Sequence, residues 1–147
     1  MNARTPGLAI LLLVAMPGLC LARDKTVHLA FANAVAAATQ SGKLDGSVKF
    51  YLAGTTPPGQ VTVVNDNATT HKKTNAFGKS DQATCDWALQ SALISLQDAA
   101  KAAGANAVVD IVSVQDGQDY RDAQNYECRV GFLMSDVALK ARLAKVH

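Results

Sequence analysis

From Ser80 onward the apolar residues follow first one rhythm and then another. Cys85, Leu89, Ala92, Leu93, Leu96, Ala99, Ala100 and Ala103 recur at helical spacing, which places them on one buried face. The run from Asp81 to Ala103 holds no Pro or Gly and is rich in Ala, Leu and Gln, all good helix formers. Ser80 is a suitable N-cap, and Asp81 places negative charge in the first turn. Gly104 follows, where a left-handed backbone costs least. Gln90, Gln97, Asp98 and Lys101 occupy the outward side. The rhythm then changes. Ala105 to Val114 is dense in β-branched residues, which predicts a strand covered on both faces over part of its length. Asp116 to Gln124 is polar and reads as a loop. Tyr126, Cys128, Val130, Phe132 and Met134 alternate with Glu127, Arg129, Gly131 and Leu133, the pattern of a half-buried strand. Val137, Leu139 and Ala141 extend that strand past a bulge near Ser135-Asp136, with a short terminal helix as the competing reading.

Upstream, residues 33–40 are Ala-rich and predict a short helix closed by Ser41-Gly42. Residues 47–53 alternate, with Val48, Phe50 and Leu52 on one side, and form a strand. A loop with Pro57-Pro58 leads to a second strand, Gln60 to Val64, expected as the hairpin partner of the first. Asn65 to Lys79 is polar and supports at most a partial edge strand, and His71-Lys72-Lys73 within it reads as a solvated loop. The segment from Gln60 through the long helix to Val114 has the form of a split βαβ unit. The expected fold class is α+β, a two-layer sandwich. A small mixed or antiparallel sheet carries the long helix Asp81 to Ala103 on one face, with the short N-terminal helix beside it.

The first residues follow a different logic. Arg4 gives a positive start, Leu8 to Met16 is apolar, and Pro17-Gly18 breaks the run. The run is too short to span a bilayer. A cleavable export signal over residues 1–22 is expected, cut between Ala22 and Arg23. Pro17-Gly18-Leu19 before Cys20 is a poor lipobox, which argues against lipidation. Residues 23–147 then form a single domain of ordinary size. Losing Arg4 leaves 13 basic against 12 acidic residues, a net charge of +1. No basic stripe stands out, so nucleic acid is not an expected partner. An exported chain left with two cysteines predicts a disulfide between Cys85 and Cys128. One lies on the buried face of the helix and the other on the apolar face of a strand.

No constellation for catalysis emerges. The chain lacks a G-x-x-x-x-G-K-[ST] or G-x-G-x-x-G phosphate loop and a G-x-S-x-G elbow. His28, His71 and His147 stand at no metal-ligand spacing, and His147 is expected to be mobile at the terminus. Asp116-Gly117-Gln118-Asp119 approaches a calcium loop but lacks the full pattern and its closing Glu. No catalytic residue, metal ligand or cofactor is therefore assigned. Tyr120, Arg121 and Tyr126 flank the polar loop and are the candidates for a binding surface, with strand packing the other role open to Tyr126.

The strings KLDGSVKFYLAG, TNAFGKSDQATCDWALQSALISLQDAAKAAGANAVVDIVS and NYECRVGFLMSDVALK resemble a group of small exported bacterial proteins that carry the label excinuclease ATPase subunit. The resemblance covers nearly all of the chain after the signal. The label does not fit the residues, which include no Walker A motif and no zinc-finger cysteines. More remotely, the helix followed by Gly104-Ala105-Asn106-Ala107-Val108-Val109 is similar to YbjQ-like and RcsF-like domains. That similarity implies an α+β fold in which a helix leads into such a strand. RcsF-like proteins are lipid-anchored envelope-stress sensors with four cysteines, of which this chain would keep two. YbjQ-like proteins are described as metal binders that form rings. The leading expectation is a non-enzymatic periplasmic module that binds another envelope component. A small-ligand or metal-binding protein comes next, then a thiol redox protein.

Overall fold

The structure, a computed structural model, describes residues 24–147. The expected signal, its cleavage point at Ala22 and Arg23, and Cys20 lie outside the described residues. The element order is β1 (Lys25–Ala30), α1 (Phe31–Gln40), β2 (Lys49–Leu52), β3 (Val61–Asn75), α2 (Asp81–Ala102), β4 (Ala107–Gln115), β5 (Gln118–Tyr120), β6 (Asn125–Val130) and β7 (Met134–Val146).

Local chemistry sets the ends of α2. Ser80 Oγ accepts the Ala83 N–H at 3.2 Å, and Asp81 sits in the first turn. At the far end Gly104 has φ +69°. Its N–H donates to Lys101, and the Ala105 N–H donates to Ala100, which closes a Schellman motif. The expected buried face is largely present, but Ala99 and Ala103 are exposed and Gln97 is buried. Gln97 is inside because its Oε1 accepts the Asp45 N–H at 3.1 Å and anchors the α1–β2 loop. Lys101 also reaches the Asp45 carboxylate, and this bond, more than that from Ser47, holds the carboxyl well below its usual range.

Strand β7 is the axis of the sheet. Along one edge it pairs antiparallel with β3, from Val61↔Val146 to Asn75↔Met134. Along the other it meets β6 at Arg129↔Asp136 and then β4 from Ser113↔Leu139 to Ala107↔Ala144. Since β3 and β4 both run against β7, they are parallel to each other and α2 is their crossover. This is the split βαβ expected from sequence. Strand β1 pairs antiparallel with β6, and β2 lies parallel to β4.

Several sequence expectations are corrected here. Strands β2 and β3 are not a hairpin. Phe50 and Leu52 of β2 sit opposite Val108 and Ile111 of β4, whereas β3 carries Thr, Asn and Lys that cannot cover them. The polar stretch from Asn65, expected as at most a partial edge strand with His71-Lys72-Lys73 in a loop, continues β3 without interruption to Asn75. Its apolar signal is weak because only Ala68 of that strand enters the core. Its outer edge, unpaired among the described residues, is protected by Lys72, Lys73 and register shifts between Val63 and Ala68. Residues 118–120 are strand rather than loop. Asp116 and Gly117 have φ of +49° and +75°, a two-residue primed turn that folds β5 back on β4. Finally, the alternation from Tyr126 to Met134 is two strands. The chain reverses after Gly131, whose N–H donates to the Met134 carbonyl at 2.8 Å. Neither the bulge nor the terminal helix forms; β7 runs on to Val146, and the His147 backbone pairs with Gln60.

The architecture is α+β with a curled mixed sheet rather than two flat layers. One core joins Phe31, Ala34 and Ala38 of α1, Leu89, Leu93 and Leu96 of α2, and Val137, Leu139 and Leu143 of β7. A smaller cluster of Ala107, Val109 and Ala144, backed by Tyr51 and Val146, is separate from it. Asp110 lets β4 serve both. At φ +52° it is a bulge that shifts the register against both neighbours, so Val108 and Ile111 both reach the main core despite odd spacing. Asp tolerates this conformation better than most residues, though less well than Gly. Asp110→Gly is expected to change stability by less than about 1 kcal/mol, and Asp110→Val to cost about 1–3 kcal/mol. Urea midpoints of the two variants measure the difference.

Candidate functional site

Cys85 and Cys128 are joined, with Cα atoms 5.8 Å apart, and both are fully buried. The bond ties the second turn of α2 to the centre of β6. Tyr126, on the same face of β6, is also fully buried, so the expected binding surface loses it. Its hydroxyl donates to Asp86 Oδ1 at 2.9 Å. Burial first, and then the Asp86 charge, push its pKa above the usual tyrosine value.

Tyr120 stacks on His28 with centroids 4.5 Å apart and donates to Asp122 Oδ2 at 2.8 Å. Burial and this bond raise its pKa to about 12. Asp122 Oδ1 accepts the N–H groups of Gln124 and Asn125, and these bonds lower its pKa to about 2. His28 also meets Glu127, its partner across β1 and β6, at 3.1 Å. Tyr120 thus joins a cluster that fixes the start of β6, while Arg121 turns elsewhere.

Arg121 contributes to a polar groove built on the outward row of β7. The odd residues Val137, Leu139, Ala141 and Leu143 face the core. Alternation therefore directs Asp136, Ala138, Lys140 and Arg142 outward. One part of the groove, about 480 Å³, lies between Thr69–His71 of β3, Ala138–Lys140 of β7 and the β4–β5 hairpin. A second part, about 190 Å³, shares Asp119 and Lys140 and adds Asp66, Asp110, Arg121 and Arg142. Lys140 pairs with Asp119 at 2.7 Å and Arg121 with Asp110 at 2.6 Å. His71 reaches Asp136 at 2.9 Å. Asp66 and Arg142 enter no ion pair among the described residues, so the groove offers one acidic and one basic group to a visitor. This chemistry suits a polar partner carrying both signs of charge.

Of the three surface candidates read from sequence, the groove includes only Arg121. His71, Asp119, Lys140 and Arg142 were missed. For Lys140 and Arg142 the signal was the polar phase of the β7 alternation, which has meaning only once its neighbours are known; His71 on β3 and Asp119 on β5 carried none. A separate apolar groove of about 450 Å³ lies between the start of α1, β2 and the β5–β6 connection. Among the described residues no three His, Cys, Asp or Glu side chains converge as metal ligands. No helix among them is long and apolar enough to cross a membrane.

Fold and site together define a small disulfide-stapled α+β domain with a charged groove on its sheet. No family model matches the chain, and no curated protein or solved structure matches it either.

Proposed function

We propose that the chain is an exported, non-enzymatic binding module of the bacterial envelope, which presents its charged groove to another envelope component. The Cys85–Cys128 bond carries the reading. Structural disulfides persist in oxidising compartments such as the periplasm, and the apolar run Leu8–Met16 behind Arg4 is what an export signal requires. The resemblance to RcsF-like domains supports the same assignment. Burial of both sulfurs gives a thiol redox role little to work with, since an attacking thiolate would have no access. One observation favours a small charged ligand as the second reading: Asp66 and Arg142, in no ion pair among the described residues, sit in the narrower part of the groove.

Native mass spectrometry of the protein drawn from the periplasm tests this reading. The expected result is a chain starting at Arg23, with no alkylatable thiol, carrying a bound component that the Lys140→Glu/Arg142→Glu variant loses. A reduced chain retaining residues 1–22 overturns export. A bound component equally present in the variant overturns the groove.

A further inference from the structure

The end of the domain at which β7 begins is unusual in another way. Phe132 is 70% exposed, Phe77 61%, Leu133 60% and Met134 49%. Scattered exposed apolar residues are ordinary, but a contiguous group of large ones marks an interaction surface. These four are contiguous. Phe77 lies in the β3–α2 connection and the others in the β6–β7 turn. The Ala76 N–H donates to the Leu133 carbonyl at 2.8 Å, and the Phe77 and Phe132 rings meet edge to face at 5.6 Å. Asn75 and Met134 close the β3–β7 ladder just beneath them. The two loops therefore form one tip on a paired-strand base.

We propose that this tip inserts into the interfacial layer of a lipid bilayer. The chain joins the domain at this tip. Lys25 pairs with Val130, and Asp24 lies so close to Gly131 that a Cβ there would meet its carboxylate at 2.7 Å. The polypeptide thus enters the domain at the turn that carries Phe132 and Leu133. Only residues 17–23 separate that point from the apolar run Leu8–Met16, a reach of about 25 Å at full extension. Resting on the export reading above, this places the tip at the bilayer from which the chain emerges, until cleavage after Ala22 leaves the tip itself to hold it there. Charge around the tip is compatible with a bilayer. The carboxylates around the tip face basic side chains: Asp81 meets Lys25 at 2.7 Å, Asp136 meets His71 at 2.9 Å, and Asp116 meets Arg129 at 2.6 Å. Asp24 also acts on Arg129. Lys79, two residues beyond Phe77, enters no ion pair among the described residues. Four carboxylates, Asp24, Asp81, Asp116 and Asp136, thus stand with Lys25, Lys79, Arg129 and His71, so the collar lacks the strong acidic excess that an anionic headgroup layer would repel. Aromatic and aliphatic groups above such a collar suit the interface.

Docking by the tip stands apart from the groove reading, but it would place the groove. Thr69–His71 and Ala138–Lys140 pair four to six residues along the same strands from the tip, roughly 13–20 Å away. A bound component would then be held close to the bilayer surface.

The test uses the protein purified from expressing cells, with its N-terminus defined by intact mass, and vesicles of phosphatidylethanolamine and phosphatidylglycerol at roughly 3:1. Co-sedimentation of the wild type is expected, and it should survive roughly 0.5 M salt because apolar insertion carries it. The Phe132→Ser/Leu133→Ser variant is expected to lose at least about 10-fold in partitioning. Phe77→Ser, on the other loop, should lose severalfold, and unchanged far-ultraviolet dichroism shows that both variants fold. Wild-type protein that stays in the supernatant overturns the proposal. So do variants that sediment as well as the wild type. A concentration-dependent dimer abolished by the same substitutions, without vesicle binding, assigns the tip to a second copy of the chain and also overturns it. Export fails on the intact mass and lipid docking on the sedimentation, so the two failures are distinguishable.

Discussion

Replacing Cys85 and Cys128 together by alanine is expected to lower the unfolding free energy by about 4 kcal/mol, since the bond closes a loop of 43 residues. The crosslink restricts the unfolded chain, and chain entropy alone accounts for that magnitude. A domain of this size is stable by about 5–15 kcal/mol, so a large share rests on one bond. The melting temperature should fall by about 10–20 °C. The oxidised protein and the double variant, compared by urea denaturation, give the free-energy difference. Serine in place of alanine should cost more, because both sites are fully buried and a hydroxyl there needs a partner. A single-cysteine variant adds a free thiol to the loss and reports on the crosslink less cleanly. An unchanged midpoint in the double alanine variant would mean that core packing alone holds α2 against β6.

Tyr126→Ala is expected to cost about 3–5 kcal/mol, the range for removing a large buried aromatic side chain. The ring is fully buried, and its hydroxyl reaches across to Asp86 on α2. Tyr126→Phe keeps the ring and removes only the bond, and should cost about 1 kcal/mol. The cost stays small because Asp86 keeps its bonds from Gln82, at 2.9 and 3.0 Å. If Tyr126→Phe cost as much as Tyr126→Ala, the hydroxyl rather than the ring would be what joins α2 to β6. Tyr126 and Cys128 pin the same strand to the same helix, so their losses should not add when the variants are combined. A double-mutant cycle on thermal midpoints measures that coupling.

Legibility from sequence followed the range of the interactions involved. The caps of α2 were readable because Ser80, Asp81 and Gly104 act within a few residues of themselves. The Asp116-Gly117 turn was equally local, and its hairpin signal was present although the stretch was read as loop. The β6–β7 reversal was hidden for the opposite reason. Phe132, Leu133 and Met134 continue an apolar rhythm that looks like buried strand, yet they are exposed. Hydrophobicity reports what a residue would gain by burial and not whether anything covers it. Beyond Val64, strand β3 shows the converse, a long polar stretch held by backbone pairing to β7 with almost no apolar signal of its own.

The sequence by itself determined the helix α2 with both its ends, the α+β class and the split βαβ unit, and it pointed to the pairing of Cys85 with Cys128 once Cys20 was assigned to an export signal. Each depends on local propensity, capping or the count of cysteines. The tertiary structure alone decided which strands are neighbours. β2 and β3 are adjacent in sequence but pair with β4 and β7, because pairing is set by which apolar faces can be buried together. It also decided the groove and the apolar tip. Arg121 and Lys140 share one surface because β5 folds back on β4 beside β7. Phe77 and Phe132 meet, though 55 positions apart in the chain, because the β3–β7 ladder carries both loops to the same end. Such juxtapositions are set by long-range pairing, which leaves no periodic mark on the residues that it brings together.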